Sequence, residues 1–250
     1  MALCSLHHFS QSLHKMTAMN VILPEQITGR LPVFYLLHGL SDDYSAWQRR
    51  TSIERYVQNL PLIVVMPDGG RYFYCDCVDG PQYESYFIKE LIPYIDSVFP
   101  TRAERAGRAI GGLSMGGYGA IKLALKFPEL FASANGHSGA YHIGAMPNAV
   151  HDIPEWLHVF GPQPAGGKDD VFALADHDDR ARIPALRIDC GTEDFLIESN
   201  RRLHEHLIER GIPHEYEEFP GAHTWEYWDV HIQEALAFHA CHLAIQPQSA

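Results

Sequence analysis

Gly112-Leu113-Ser114-Met115-Gly116-Gly117 reads G-x-S-x-G, and five glycines fall between Gly111 and Gly119. The apolar run before the serine, Arg108 to Leu113, predicts a buried strand. The segment Met115 to Lys126 predicts a helix that ends before Pro128. A serine on so tight a strand-to-helix turn is held in a strained backbone conformation with its hydroxyl outward. Small neighbours are needed there because backbone segments approach too closely for a Cβ. The helix N-terminus aims its N–H groups at the same spot, where they can stabilise an oxyanion. The chemistry implied is nucleophilic attack by Ser114; the competing role is a helix cap in a glycine-rich turn.

Such a serine needs a base, and the base needs an acid. Asp194 follows an apolar strand, Leu186 to Cys190, in Gly191-Thr192-Glu193-Asp194. His223 lies in the glycine-containing loop Phe219-Pro220-Gly221-Ala222-His223 after the last expected strand. The acid comes 80 residues after the serine and the histidine 29 after the acid. That order of nucleophile, acid and histidine is the one expected for an α/β-hydrolase sheet. Asp194 is preferred over Glu193 because it sits farther into the loop, although it could instead cap the next helix. His137, His231 and His239 compete with His223, the latter two inside the expected last helix.

The elements that must position these groups alternate along the chain. Strands are expected at Leu3–Phe9, Met16–Leu23, Val33–Leu37, Leu62–Met66, Ala109–Leu113, Phe131–Ser138, Ala185–Cys190 and Pro213–Phe219. The central ones are continuously apolar, as in strands covered on both faces. Between them, Thr51 and Glu54 form a capping-box pattern ahead of a helix ending near Asn59. Tyr83, Phe87, Leu91, Ile95 and Val98 share one helical face that Pro93 should bend. A helix over Glu198–Arg210 stops at Gly211, and the last helix carries Trp225, Trp228, Ile232, Leu236 and His239 at helical spacing. This alternation predicts an α/β fold, a doubly wound and mostly parallel sheet with helices on both faces. In such sheets the site lies at the carboxyl ends of the strands, where Leu36-Leu37-His38-Gly39-Leu40, Ser114, Asp194 and His223 all fall.

Composition bounds what else the chain can do. Its 250 residues suit a single domain, 46% hydrophobic and 20% charged, with net charge −12. The absence of a basic run argues against nucleic acid and anionic membrane as partners. No apolar run is long enough to span a membrane, and Met1 to Ser10 shows no signal peptide, so a cytoplasmic location is expected. Cys4, Cys75, Cys77, Cys190 and Cys241 read as reduced thiols, because Cys75-x-Cys77 lacks a second ligand pair. The sixteen histidines form no His-Glu-x-x-His array, so neither a metal nor another cofactor is expected. Assembly into a homo-oligomer stays open.

With these motifs in place, the chain resembles the esterase D-type family of serine esterases. The likeness rests on Leu37-His38-Gly39, Asp43 to Trp47, Gly112 to Ala120, Ser138-Gly139-Ala140 and Gly191 to Leu196. It is strongest to small bacterial tributyrin and acetyl esterases and runs over nearly the whole chain. The resemblance implies a triad of Ser114, Asp194 and His223, with the backbone N–H groups of Leu40 and Met115 as oxyanion hole. It implies hydrolysis of a small-molecule ester through an acyl-enzyme, and the lack of a long apolar lid favours short acyl chains. The family also includes formylglutathione hydrolases, feruloyl esterases and mycolyl-transferases, so a thioesterase, a feruloyl esterase or an acetyl-carbohydrate esterase is an alternative. A non-enzymatic binding relative would ordinarily have lost a triad member.

Substrate choice is expected in residues 140–184, rich in proline and glycine and containing Pro147, Trp156 and Phe160. This insertion could form a partial lid over the strand ends or merely connect two strands. Trp47, Trp156 and Trp225 are the candidate pocket residues.

Overall fold

The computed structural model describes residues 1–145, 152–176 and 180–246. Eight strands form one sheet: β1 (Ala2–Ser10), β2 (Lys15–Leu23), β3 (Val33–Leu37), β4 (Ile63–Pro67), β5 (Arg108–Leu113), β6 (Ser133–His137), β7 (Ala185–Gly191) and β8 (His214–Phe219). Their spatial order is β1-β2-β4-β3-β5-β6-β7-β8. β2 runs antiparallel to both β1 and β4, and every pairing from β4 to β8 is parallel. The eight expected strands are therefore present, with ends displaced by one or two residues.

The apolar runs follow from burial on both faces. Along β3, Val33, Tyr35 and Leu37 enter one core, while Phe34 and Leu36 enter the other. β4 divides likewise, Ile63 and Val65 to one side and Val64 and Met66 to the other. The helices Met115–Lys126 and Ile197–Glu209 bury residues in the first core, and the C-terminal helix Trp225–His242 covers the second.

Two local expectations fail for identifiable reasons. No capping box forms at Thr51 and Glu54, because the helix Ile53–Val57 has Ser52 at its start without a side-chain cap. Glu54 instead accepts a hydrogen bond from Gln48, and the Ser52 N–H donates to Asp229 of the C-terminal helix at 2.8 Å. The stripe expected to end at Val98 keeps Tyr83, Phe87, Leu91 and Ile95 buried but leaves Val98 50% exposed. A π-helical stretch, Tyr86–Leu91, precedes the α-helical Ile92–Val98. Its wider turn shifts the face and accommodates Pro93, which has no N–H to donate.

Within 140–184, the described part contains the helices Trp156–Phe160 and Val171–Ala175. Trp156 and Phe160 pack on Phe73, and the Val78 and Asp79 N–H groups donate to Val159 and His158. Pro147 lies outside the described residues.

Candidate active site

Ser114 follows β5 with φ 53° and ψ −117°, a left-handed conformation in a residue with a Cβ. Such backbone strain persists only where the surroundings impose it. Here the Ser114 N–H donates to the His137 carbonyl at 2.9 Å, and the helix Met115–Lys126 starts at once. Gly116 shows why the turn excludes side chains. A Cβ there would lie 2.5 Å from the Leu37 oxygen and 2.6 Å from that of His38.

His223 brings its two nitrogens to different partners. Nδ1 lies 2.8 and 3.0 Å from the carboxylate oxygens of Asp194, and Nε2 lies 3.0 Å from the Ser114 hydroxyl. A carboxylate only accepts, so Nδ1 carries the proton and donates it to Asp194. Nε2 of the neutral ring is then the acceptor to which the Ser114 hydroxyl donates. Burial pushes the Asp194 carboxyl up, yet its pKa ends below the ordinary value. The hydrogen bond and charge of His223, the Leu196 N–H at 2.8 Å and the Ser138 hydroxyl outweigh desolvation.

The competing candidates have other partners. Glu193 accepts from the Gly221 N–H and the Thr192 hydroxyl, holding the loop that carries His223. His137 is buried against Asp189 at 2.9 Å. His239 is buried between the Ser133 hydroxyl and the Asn135 amide oxygen, each at 2.8 Å. His231 stacks on Phe219, with ring centroids 4.1 Å apart.

The end of β3 approaches the serine from the other side. A Cβ on Gly39 would lie 2.7 Å from Leu113 and 3.8 Å from the Ser114 Cβ, so glycine brings the loop against the nucleophile. His38 holds this loop. Its Nε2 accepts from the Gly69 N–H at 2.8 Å, leaving Nδ1–H to donate to the Gly39 carbonyl at 2.8 Å. Tyr74 fastens the same residue, its hydroxyl accepting from the His38 N–H and donating to the His38 carbonyl. The loop brings Leu40 to the cleft, and Met115 follows the serine at the helix start.

The cleft at Ser114 has a volume of about 460 Å³. One part of its lining is apolar, with Leu40, Leu113, Phe195, Trp225 and Trp228. Another is polar, with Ser41, Asp42, Arg50, Thr224 and Glu226. Of the three tryptophans expected at a pocket, only Trp225 lines this cleft. Trp47 is 1% exposed and stands behind it, donating to the Leu37 carbonyl at 2.9 Å and packing edge-on against Trp225. Trp156 is 3% exposed and packs against Phe73 and Phe160, so it belongs to the core.

Three residues at the site were not singled out from sequence. Ser138 follows β6 with φ 50° and accepts from the Trp228 indole N–H at 3.2 Å. The sequence marks Trp228 only by its helical spacing, and Ser138 and Phe195 only as members of motifs. The usable signal for Ser138 was its place at the carboxyl end of a strand beside glycine. All five cysteines are free, and among the described residues no group of three or more metal-ligating side chains occurs. Nor is any helix among them long and apolar enough to cross a membrane.

Sheet order, the strained serine and the Ser–His–Asp hydrogen bonds define an α/β-hydrolase fold carrying a serine hydrolase constellation. Comparison with known proteins specifies the class further: the chain belongs to the family described as "Putative esterase", matched over residues 10–239. It is a serine carboxylic-ester hydrolase of that family. An acetyl esterase from Caldicellulosiruptor saccharolyticus is 32% identical, the match covering 94% of this chain and 97% of the relative. The solved structure of a fluorophosphonate-binding serine hydrolase from Staphylococcus aureus is 31% identical, with TM-score 0.87 over 95% of this chain and 98% of the other. An S-formylglutathione hydrolase from the same organism is also 31% identical, with TM-score 0.84 over the same shares of the two chains.

Proposed function

We propose that this esterase hydrolyses short-chain acyl esters, with Ser114 as nucleophile, His223 as general base and then acid, and Asp194 as the carboxylate that orients it. The observation that carries this reading is the unbroken hydrogen-bonded line from the Ser114 hydroxyl through both nitrogens of His223 to Asp194. As the hydroxyl oxygen attacks the ester carbonyl, its proton passes to Nε2 of His223. The carbonyl oxygen becomes an oxyanion and takes hydrogen bonds from the backbone N–H groups of Leu40 and Met115. Loss of one such donor typically costs about 3 kcal/mol. The tetrahedral intermediate collapses, the carbon–oxygen bond to the alcohol breaks, and Nε2–H returns the proton to the departing oxygen. Water repeats the sequence on the acyl-enzyme, releasing the carboxylic acid and regenerating Ser114.

Short acyl groups are favoured by the acetyl esterase likeness and by the modest cleft. The reading includes the cytoplasmic location expected from sequence, for which the free thiols are the physical argument. It also treats residues 140–184 as part of the same domain; none of their described residues lines the cleft at Ser114. The test is hydrolysis of p-nitrophenyl esters from acetate to dodecanoate by the unmodified protein and by Ser114→Ala. Activity should peak at acetate to butyrate and vanish in the variant. Faster turnover of dodecanoate would overturn the short-chain assignment, and activity retained by Ser114→Ala would overturn the nucleophile.

The likeness to an S-formylglutathione hydrolase supports a second reading. The same groups would expel a thiolate instead of an alkoxide. Higher kcat/KM on S-formylglutathione than on any simple ester would decide for it.

A further inference from the structure

Phe195 follows Asp194 in the chain and is 75% exposed. A single exposed apolar side chain is ordinary. This one lies over the histidine of the site, its ring centroid 4.5 Å from that of His223 at an interplanar angle of 51°. It also lines the cleft together with Leu40, Trp225 and Trp228. The hydrogen bonds that hold the acid and the histidine do not use it. Asp194 is held by Leu196 and His223, and His223 by Asp194 and Ser114.

The direction of the reaction says what reaches this ring. In the tetrahedral intermediate the oxyanion points at the loop end at Leu40 and the start of the helix at Met115. The leaving oxygen must come within hydrogen-bonding reach of His223 Nε2, because that nitrogen supplies its proton. The alcohol substituent therefore emerges beside the imidazole, where Phe195 lies exposed. The acyl substituent takes the remaining direction, away from the histidine.

The geometry points to a leaving-group subsite in which Phe195, with the half-buried Trp225 of the same cleft, receives an apolar or aromatic alcohol. This inference rests on the assignment of Ser114 and His223 in the proposed function. Its ligands are the alcohol parts of benzyl, aryl and branched alkyl esters. Packing of an aromatic ring on Phe195 buries apolar surface that is bare in the free enzyme.

The test holds the acyl group constant. Ethyl and benzyl acetate give the same acetyl-enzyme, so their kcat/KM values differ only through acylation, when the alcohol is still present. The readout is the benzyl-to-ethyl ratio of kcat/KM, which is independent of the fraction of active enzyme. In Phe195→Ala this ratio should fall about 5- to 10-fold. In Phe195→Tyr, which keeps the ring, it should stay close to that of the unmodified protein. An unchanged ratio in Phe195→Ala, whether both rates stay or fall together, would overturn the subsite; a common fall would make Phe195 a support for the imidazole. Absence of hydrolysis of either ester by the unmodified protein would instead overturn the short-chain ester reading, and the subsite with it.

Discussion

The Trp228 indole donates its N–H to the Ser138 hydroxyl at 3.2 Å and stands edge-on to the His223 ring, with centroids 4.9 Å apart at 89°. The Ser138 hydroxyl helps hold the Asp194 carboxyl below its ordinary value, and Asp194 accepts from His223. The four side chains close a circuit around the acid and the histidine. Ser138 adopts a left-handed backbone to complete it.

This circuit makes Ser138 and Trp228 positioning residues. Ser138→Ala removes a hydroxyl that favours the ionised Asp194 carboxylate and leaves the buried Trp228 indole N–H without its acceptor. The expected outcome is a fall in kcat of roughly tenfold with KM little changed, because the loss acts on the orientation of His223. Trp228→Phe keeps a ring beside His223 while deleting the N–H, so its fall should be smaller. Steady-state kinetics on p-nitrophenyl acetate checks both.

Ser114 carries strain that serves its reactivity. A residue with a Cβ at φ 53° and ψ −117° stores about 1–3 kcal/mol. Ser114→Gly should therefore raise stability by about 1 kcal/mol, or ~2–4 °C in Tm, while abolishing hydrolysis. Thermal unfolding beside an activity assay reads the trade-off; a lower Tm would show that Ser114 stores no such strain.

His239 links stability to pH. Burial holds its pKa well below the ordinary 6.5, with His137, His242 and Arg187 acting in the same direction. The unfolded chain gains a proton below about pH 6.5 that native His239 does not accept, so stability present above that pH is lost as pH falls. His239→Gln should cost about 1–3 kcal/mol at pH 7.5 by disturbing the bonds to Ser133 and Asn135. The decline in stability between roughly pH 6.5 and 5 should then be shallower. Urea unfolding at several pH values measures both effects.

Lys122, 0% exposed in the helix that begins at the serine, contacts Glu84 at 2.7 Å, the Tyr74 carbonyl at 2.7 Å and Asp169 at 3.7 Å. Burial alone would push its pKa down, but Cys75, Glu84 and Asp169 hold it above the ordinary lysine range. Lys122→Met leaves Glu84 and Asp169 to Lys126 and should cost about 3–5 kcal/mol. Glu84→Gln added to that variant should cost less than in the unmodified protein, because one of its two lysine partners is already gone. A double-mutant cycle by denaturant unfolding tests this.

Much of the molecule is legible in the residue order because the relevant forces are local. Continuous apolar runs marked the central strands, and the clustered glycines marked the turn at Ser114. Where the reading departs from the structure, a distant partner intervenes. Thr51 and Glu54 carry a capping pattern, but Asp229 takes the Ser52 N–H and Gln48 takes Glu54. Val98 continues a helical stripe that a π turn rotates outward. Trp47 and Trp156 resemble pocket residues in type, yet a tryptophan's place depends on which rings surround it, and those come from remote segments.

The sequence by itself determined the succession of strands and helices and the turn at Ser114, because backbone sterics and side-chain periodicity act over a few residues. Only the tertiary structure decided which carboxylate faces which histidine. Glu193 and Asp194 are neighbours in one loop, and their difference arises from where the loop after β8 passes: Gly221 takes Glu193, and His223 takes Asp194. Ser114 and His223 stand 109 residues apart in the chain and meet because the sheet places β5 and β8 in one layer with their carboxyl ends together. Ser138, Trp228 and Phe195 acquire their relation to His223 through the same convergence, which requires the packed sheet to bring remote strand ends within hydrogen-bonding and ring-contact distance.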